Sequence, residues 1–380
     1  MYSSHVNVSN PSCADKYKGL RNVSLYKLEA IGRQSLVDDE GTGQPAFPKV
    51  KIVMLEIDAV YTWVNGNDPA WQARKKMTRL ALGINDENAS GEDAPCRYRD
   101  NDELRYSLRS LAKYAPWIRR VHLLTDDQRP DWLNTDTVNL LHHKDVFPPE
   151  ILYPTFNNRA IELSMADLPG LTEHFLYFND DFMLGAKTNP WDFFTPEGQP
   201  IIWLRKHSRK YWKKFFTRSS EKLNEYDAST RYLYQLIAER SGKHIPYKTV
   251  HSPRPMTKFF FHKTIMEYEK DFSTTMRSPF RSKQSVSIAK LYPLYAIATG
   301  YGQLYQLSGL NAVHDFVKKR IKHIGVSLGD NNYHHKLNLI QKLKPLTFCI
   351  NDSQYCNDDD ISLFQQFMEN LFPEKSKFEV

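Results

Sequence analysis

The sequence predicts an α/β protein on a mostly parallel, doubly wound, Rossmann-like sheet, and three observations carry that expectation. Short runs rich in β-branched and aromatic residues alternate with helix-spaced segments to about residue 185, the pattern of repeated βαβ units. The run Phe175-Leu176-Tyr177-Phe178 stops at Asn179-Asp180-Asp181, and a second apolar run, Phe182-Met183-Leu184, follows at once. A buried strand that carries carboxylates out at its carboxyl end sets them in the crevice where such sheets take ligands. Beyond that point the pattern turns helical, and a late apolar run from Leu346 to Ile350 again ends in Asn351-Asp352.

The elements follow in order. Residues 1–50 read as a polar N-terminal extension with a short amphipathic piece from Tyr26 to Ile31, joined by the linker Gly41-Thr42-Gly43-Gln44-Pro45 to a core over 51–205. Ile57 to Val64 is β-branched and aromatic, a first strand, and Asn65-Gly66-Asn67-Asp68-Pro69 turns the chain. Asn65, Asp68 and Trp71 at that strand end either hold a base and ribose or are turn and packing chemistry alone. Residues 83–96 read as a loop. Leu104, Leu108 and Leu111 recur at helical spacing, with Asp100, Asp102 and Glu103 where acids favour a helix start. Arg105 and Arg109 share a face of that helix and point to phosphate or to acids. Arg120 to Thr125 and Val138 to His142 read as strands, and Thr155-Phe156-Asn157-Asn158 caps a helix over Arg159 to Ala166 that Pro169-Gly170 ends. Helices are expected over Arg218 to Arg240, Met256 to Lys270, Lys283 to Thr299 and Gly309 to Lys322, making 206–340 a helical insertion or lid. The strand Leu346 to Ile350 and a helix from Ile361 to Phe372 return residues 341–380 to the core.

Composition narrows the function. At 380 residues the chain can bury one elaborated domain or two. Lys and Arg number 51 against 44 Asp and Glu, a formal net charge of +7. That mild surplus suits an anionic substrate or an anionic membrane face, and without a long basic run nucleic acid is not the expected partner. Aromatic residues at 13 % fit clefts that stack sugars or nucleotides as well as cores. Cys13, Cys96, Cys349 and Cys356 form no C-x-x-C pair and are too sparse for a disulfide scaffold, so a reducing compartment is expected. Neither a signal peptide nor an apolar window of about 18 residues is evident, which predicts a cytoplasmic chain, open to peripheral association with the inner membrane face.

Asp180 and Asp181 carry the chemistry. Two adjacent carboxylates between buried runs repel each other, and a hard divalent cation, Mg²⁺ or Mn²⁺, removes the conflict by bridging them to substrate phosphates. The alternative is an acidic turn leaving a strand.

Several blocks, in order, resemble the Stealth family. They are Tyr61-Thr62-Trp63-Val64-Asn65-Gly66; Arg97-Tyr98, Asp102-Glu103-Leu104 and Tyr106-Ser107-Leu108-Arg109-Ser110 with Tyr114-Ala115-Pro116-Trp117-Ile118; and Pro154-Thr155-Phe156-Asn157 with Ala160-Ile161-Glu162. Pro169-Gly170-Leu171 and Tyr177-Phe178-Asn179-Asp180-Asp181, then His251-Ser252-Pro253-Arg254-Pro255 and Cys349-Ile350-Asn351-Asp352, continue the likeness over residues 55 to 375.

The resemblance implies a GT-A-like nucleotide-sugar domain with a helical lid, and transfer of a hexose-1-phosphate from a UDP-sugar, an N-acetylhexosamine foremost, to a saccharide or glycolipid hydroxyl. UMP leaves, a phosphodiester forms, and capsular or extracellular polysaccharide grows, with capsule-assembly proteins as partners. Such phosphoryl chemistry rests on positioning and charge stabilisation. On this reading Thr62, Trp63, Asn65 and Asn157 bind the nucleotide, and Arg109, Arg254 and Arg281 clamp phosphate. Asp180 and Asp181, joined by Asn351 or Asp352, hold the metal. His251 is the base because an imidazole titrates near neutrality, with Asp102 and Glu103 as the next candidates. After Pro279-Phe280-Arg281 many bacterial members carry an Asp and then a His-His pair, where this chain has Gln284-Ser285-Val286 and Leu291-Tyr292-Pro293-Leu294-Tyr295. A metal-dependent glycosyltransferase or phosphodiesterase using the same acid pair is the competing expectation.

Overall fold

The computed structural model describes residues 55–84, 97–219 and 223–380. The N-terminal extension, its linker, Cys13, Cys96 and nearly all of the loop expected over 83–96 lie outside the described residues.

The apolar runs form the main sheet. β1 (Ile57–Thr62), β2 (Val121–Thr125), β3 (Val138–His142) and β4 (His174–Asn179) run parallel, and β8 (Arg254–Thr257) pairs antiparallel with β4, giving the order β3-β2-β1-β4-β8. Strand side chains alternate between faces, so each face of β1 and β4 needs its own cover. Ala59, Tyr61, Leu176 and Phe178 pack with Leu104, Leu108 and Leu111 of α2 (Glu103–Tyr114). Val60, Phe175 and Tyr177 pack in a second cluster with Phe260 and Phe261 of α7 (Lys258–Glu267) and Leu291 and Tyr292 of α9 (Ile288–Thr299). The strand order reverses direction between β1 and β4, the switch point at which such sheets bind ligands.

Among the described residues there are two smaller sheets. β10 (His323–Ser327), β11 (Thr347–Asn351) and β5 (Phe182–Leu184) form one, with β11 parallel to β10 and antiparallel to β5. β7 (Tyr247–Thr249), β6 (Ile201–Lys206) and β9 (Gln303–Gln306) form the other. Asp180 and Asp181 therefore lie where the chain steps from β4 into β5, out of one sheet and into the next.

The remaining helices are α1 (Pro69–Ala81), α3 (His143–Val146), α4 (Asn158–Ile161), α5 (Arg209–Thr217), α6 (Glu225–Ser241), α8 (Glu269–Met276), α10 (Leu310–Val317), α11 (Tyr333–Leu343) and α12 (Asp358–Leu371). Three expectations change. Residues 206–340 are not all helical: β7, β8, β9 and β10 interrupt them, and β8 joins the main sheet at its edge, where Pro255 is tolerated. The helix expected over Arg159 to Ala166 is one turn of α4 followed by a tighter 3-10 segment, Glu162–Asp167, where the Ser164 hydroxyl donates back to the Ile161 carbonyl at 2.9 Å. The helix expected from Gly309 to Lys322 stops at Val317, and Lys319 turns the chain at a φ of 50° toward β10. Among the described residues no helix is long and apolar enough to cross a membrane.

Candidate active site

The register of the main sheet builds the first half of the site. Thr62 at the end of β1 lies opposite Asn179 at the end of β4, so Trp63 and Asp180 leave adjacent strand ends into one crevice. Thr62, Trp63, Trp71, Tyr98, Phe156, Tyr177, Asp180 and Arg281 line that cavity. Trp71 is 4 % exposed and packs against Tyr98 and Phe156 with ring centroids 5.2 Å away in each case, giving an aromatic wall. Asn157 does not line it. Its amide donates to the Ser278 and Phe280 carbonyls at 3.0 and 3.4 Å, which fixes the loop that presents Arg281. Asn65 takes the turn alternative: its backbone N–H donates to Gln128 Oε1 at 2.9 Å and its own Oδ1 accepts from Asn67. Asp68 caps α1 through Ala70 and accepts from Gln128.

The second half arrives with β11. Cys349 is opposite Phe182 in the β11–β5 pair, and its thiol donates to Asp181 Oδ2 at 3.0 Å. Ligand atoms of Asp181, His251 and Cys349 all lie within 4.8 Å of one another. The other oxygen of Asp181, Oδ1, is buried with no hydrogen-bond partner. Asp180 and Asp181 are both pushed above the usual carboxylate range: burial comes first, Asp180 also feels Asp181, Glu103 and Asp100, and Arg254 partly offsets the shift at Asp181. Burial raises Glu103 to about 7, although both its oxygens accept from Asn101, and raises Asp100 to about 6 with help from Asp102. A cation fits such a site. It would satisfy the orphaned oxygen and offset the repulsion among the acids. The Cys349 thiol is itself raised by burial and by Asp181, so it serves as a donor to the carboxylate and leaves oxygen, the hard ligand type, to face an ion.

His251 is reached by solvent yet sits deep among protein atoms, and that burial, with Arg254, Lys290 and Arg97 nearby, lowers its imidazole to about 4. It is neutral at pH 7 and able to take a proton. Arg254 lies over the rings of Phe182 and Tyr177, 5.3 and 5.8 Å from their centroids.

Two expectations are corrected. Arg109 does not reach the cavity: its guanidinium is forked onto both oxygens of Glu379 at 2.9 Å and donates to the Phe372 carbonyl at 2.7 Å. Asp352 does not join Asp181, since its carboxylate meets Arg99 at 3.4 Å and caps Ser353. Asn351 ends β11 opposite Ser327, two residues beyond Cys349 and so on the same side of the strand, and Asp102 is the left-handed residue before α2 and does not cap that helix by its side chain. His143 was not foreseen in this cavity. It is 3 % exposed, lines the pocket and stacks on Phe147, and burial lowers it to about 3. No local pattern in the sequence separates it from the neighbouring His142.

Residues 56–83 match the model for conserved region 1 of Stealth proteins, and residues 97–202 the model for conserved region 2. An exopolysaccharide phosphotransferase of Streptomyces coelicolor is 32 % identical over 340 residues, 87 % of this chain and 34 % of that protein. One from Nocardia farcinica is 30 % identical over 339 residues, 87 % of this chain and 62 % of the relative. The exopolysaccharide phosphotransferase CpsY of Mycobacterium tuberculosis is 34 % identical over 257 residues, 67 % of this chain and 46 % of its own length. The chain thus spans between a third and three-fifths of these relatives. Among solved structures, the galactosyltransferase LgtC is 10 % identical, with 82 % of this chain and 95 % of that one covered at a TM-score of 0.36. The glycosyltransferase GlyE of Streptococcus pneumoniae is also 10 % identical, with 83 % and 60 % covered at 0.37. With region 1 forming β1 and supplying Trp71 of the aromatic wall, and region 2 supplying Tyr98 and Phe156 and running through α2 and β4 to the paired acids, the chain belongs to the Stealth family.

Proposed function

We propose that this protein transfers a sugar-1-phosphate from a UDP-sugar, an N-acetylhexosamine donor foremost, to a saccharide hydroxyl in polysaccharide synthesis. The observation that carries the reading is the meeting of Asp181, at the switch point of the sheet, with His251 and Cys349 from distant segments, next to Asp180 in the lining of an aromatic cavity and beside Arg254 and Arg281. The relatives, named exopolysaccharide phosphotransferases, support the same class.

In this reading the uracil and ribose occupy the cavity at the ends of β1 and β4, between Trp63, Trp71, Tyr98 and Phe156. The acceptor oxygen attacks the β-phosphorus, and the bond from that phosphorus to the bridging oxygen breaks. UMP departs with the bridging oxygen, the phosphodiester forms, and the hydroxyl proton passes to His251. Its neutral ring meets the first requirement of a base, and the incoming diphosphate, by adding negative charge, strengthens its hold on the proton. Arg254 and Arg281 stabilise charge on the phosphoryl oxygens. Mg²⁺ or Mn²⁺ on Asp180 and Asp181 supplies charge neutralisation of the diphosphate when bound. Glu103, whose oxygens are already taken by Asn101, is better suited to shaping the charge of the acid cluster than to abstracting the proton.

The test is nucleotide release from a panel of UDP-sugars, with a phosphodiester oligosaccharide as acceptor, for the wild type and Asp181→Ala. Acceptor-stimulated UMP that falls at least about a hundredfold in the variant is the expected result. Release of UDP would mean a glycosyltransferase, and UMP release indifferent to acceptor would mean a hydrolase. Either outcome overturns the proposal.

A further inference from the structure

An exposed apolar stripe lies far from this chemistry in role. On α10, Leu310, Val313, Phe316 and Val317 are 88, 61, 66 and 73 % exposed. Their spacing of three and four residues sets all four on one face of the helix. The opposite side is anchored: Asp315 is buried and accepts from the Tyr305 hydroxyl at 2.6 Å. Asp315 is also the one acid between Ser308 and Lys322, so no negative charge reaches the outer face, while Lys318 and Lys319, both exposed, follow the stripe directly.

A second run of cations starts from the same end of the same sheet. β6 and β9 are parallel with Leu204 opposite Gln306, and the Leu307 N–H donates to the Leu204 carbonyl at 2.8 Å, so the chains that lead into α5 and α10 leave β6 and β9 side by side. Between Trp203 and Ser219 there are seven Lys and Arg and no acid, and Arg205, Lys206, Arg209, Lys210, Lys213 and Arg218 are exposed. The expectation that the chain lacks a long basic run fails here, because aromatic residues interleave the cations.

Apolar residues and cations together select the occupant. A soluble polyanion has no use for four exposed aliphatic and aromatic side chains, and a second copy would bring like charge against like charge. An anionic bilayer offers an acyl boundary for the one and headgroup charge for the other. We infer that α10 is a membrane-docking helix, lying in the plane of an anionic phospholipid surface with Leu310, Val313, Phe316 and Val317 in the acyl boundary and the adjacent cations on the headgroups.

Flotation of the full chain with phosphatidylcholine vesicles, and with vesicles that also contain phosphatidylglycerol, tests this. The wild type is expected to float with the anionic vesicles, less so as salt rises. Leu310→Ser/Phe316→Ser should lower that partition at least about tenfold, since it removes two of the four apolar side chains from the acyl boundary. Both positions are exposed, so circular dichroism and melting should match the wild type. In a Phe316→Trp protein, the indole emission at that position should shift to the blue and be quenched by brominated acyl chains only on anionic vesicles. No flotation of the wild type, equal flotation of wild type and double variant, or an unshifted emission overturns the inference. So does conversion of a dimer to a monomer by the double variant without vesicle binding, which would show a second copy covering the stripe.

Discussion

Arg109 belongs to one of the family's matching blocks, yet its guanidinium is committed to Glu379, with each side chain at most 5 % exposed. Burial alone would raise Glu379, but the forked Arg109 bonds, the Ser376 N–H and Arg105 outweigh it and hold the carboxyl at about 2. With the unfolded carboxyl near 4.5, this pairing contributes stability that is fully present above that pH and lost as pH falls from 4.5 toward 2. Removing one partner leaves a buried charge, so Arg109→Ala should cost about 3–5 kcal/mol in urea unfolding while leaving UMP turnover per folded molecule unchanged. A variant that kept its stability and lost turnover would return Arg109 to the phosphate. At this scale the sequence was ambiguous for a physical reason: an arginine at helical spacing looks the same whether it meets a substrate phosphate or a carboxylate 270 residues away.

Among the elements, the loop from β1 to α1 was legible as a turn but not as a wall. Gly66 donates to the Tyr98 carbonyl at 2.7 Å, and a Cβ at this position would lie 2.3 Å from that oxygen. The glycine is needed because backbone meets backbone there, and the contact holds Tyr98 in the cavity wall beside Trp71. Gly66→Ala should therefore destabilise by about 1–3 kcal/mol and raise KM for the nucleotide-sugar more than it lowers kcat. Steady-state kinetics beside a thermal melt would check this, and an unchanged KM would mean that the loop does not shape the donor pocket. The four parallel strands could be read because each is an apolar run with an abrupt polar stop. β8 could not, since Arg254-Pro255-Met256-Thr257 has no strand pattern of its own and becomes a strand only by pairing with β4. That pairing brings Arg254 opposite Tyr177, beside the cavity.

Across the whole molecule, the acids at the switch point were visible in the sequence, but their company was not, because Cys349 lies 168 residues from Asp181 and meets it only through the β11–β5 ladder. Folding thus gathers Asp100, Glu103, Asp180 and Asp181 into one group, Glu103 and Asp181 buried and the other two half-buried, every member held above its ordinary value. Between about pH 4, where such acids titrate unfolded, and about pH 7, the native state holds more protons than the unfolded chain, so this group makes the protein less stable as pH rises through that window. The histidines His143, His251 and His323, all lowered by the protein atoms around them, act in the opposite sense as pH falls below 6.5, which makes the pH profile of the wild type alone uninformative. Comparison with Asp181→Asn cancels the histidines away from the substitution, while His251, within 4.8 Å of Asp181, loses an anionic neighbour and acts in the same sense as the acids. The variant removes one charge from the cluster and keeps an acceptor for the Cys349 thiol, so it should melt higher than the wild type at pH 8, with the difference shrinking as pH falls toward 4. If the cluster exists to hold a cation, millimolar Mg²⁺ or Mn²⁺ at pH 8 should raise the melting temperature of the wild type and leave Asp181→Asn where it is. Parallel melting curves at every pH would refute the charge cluster. A cation effect equal in both proteins would instead move the metal away from Asp181 and leave the charge argument standing.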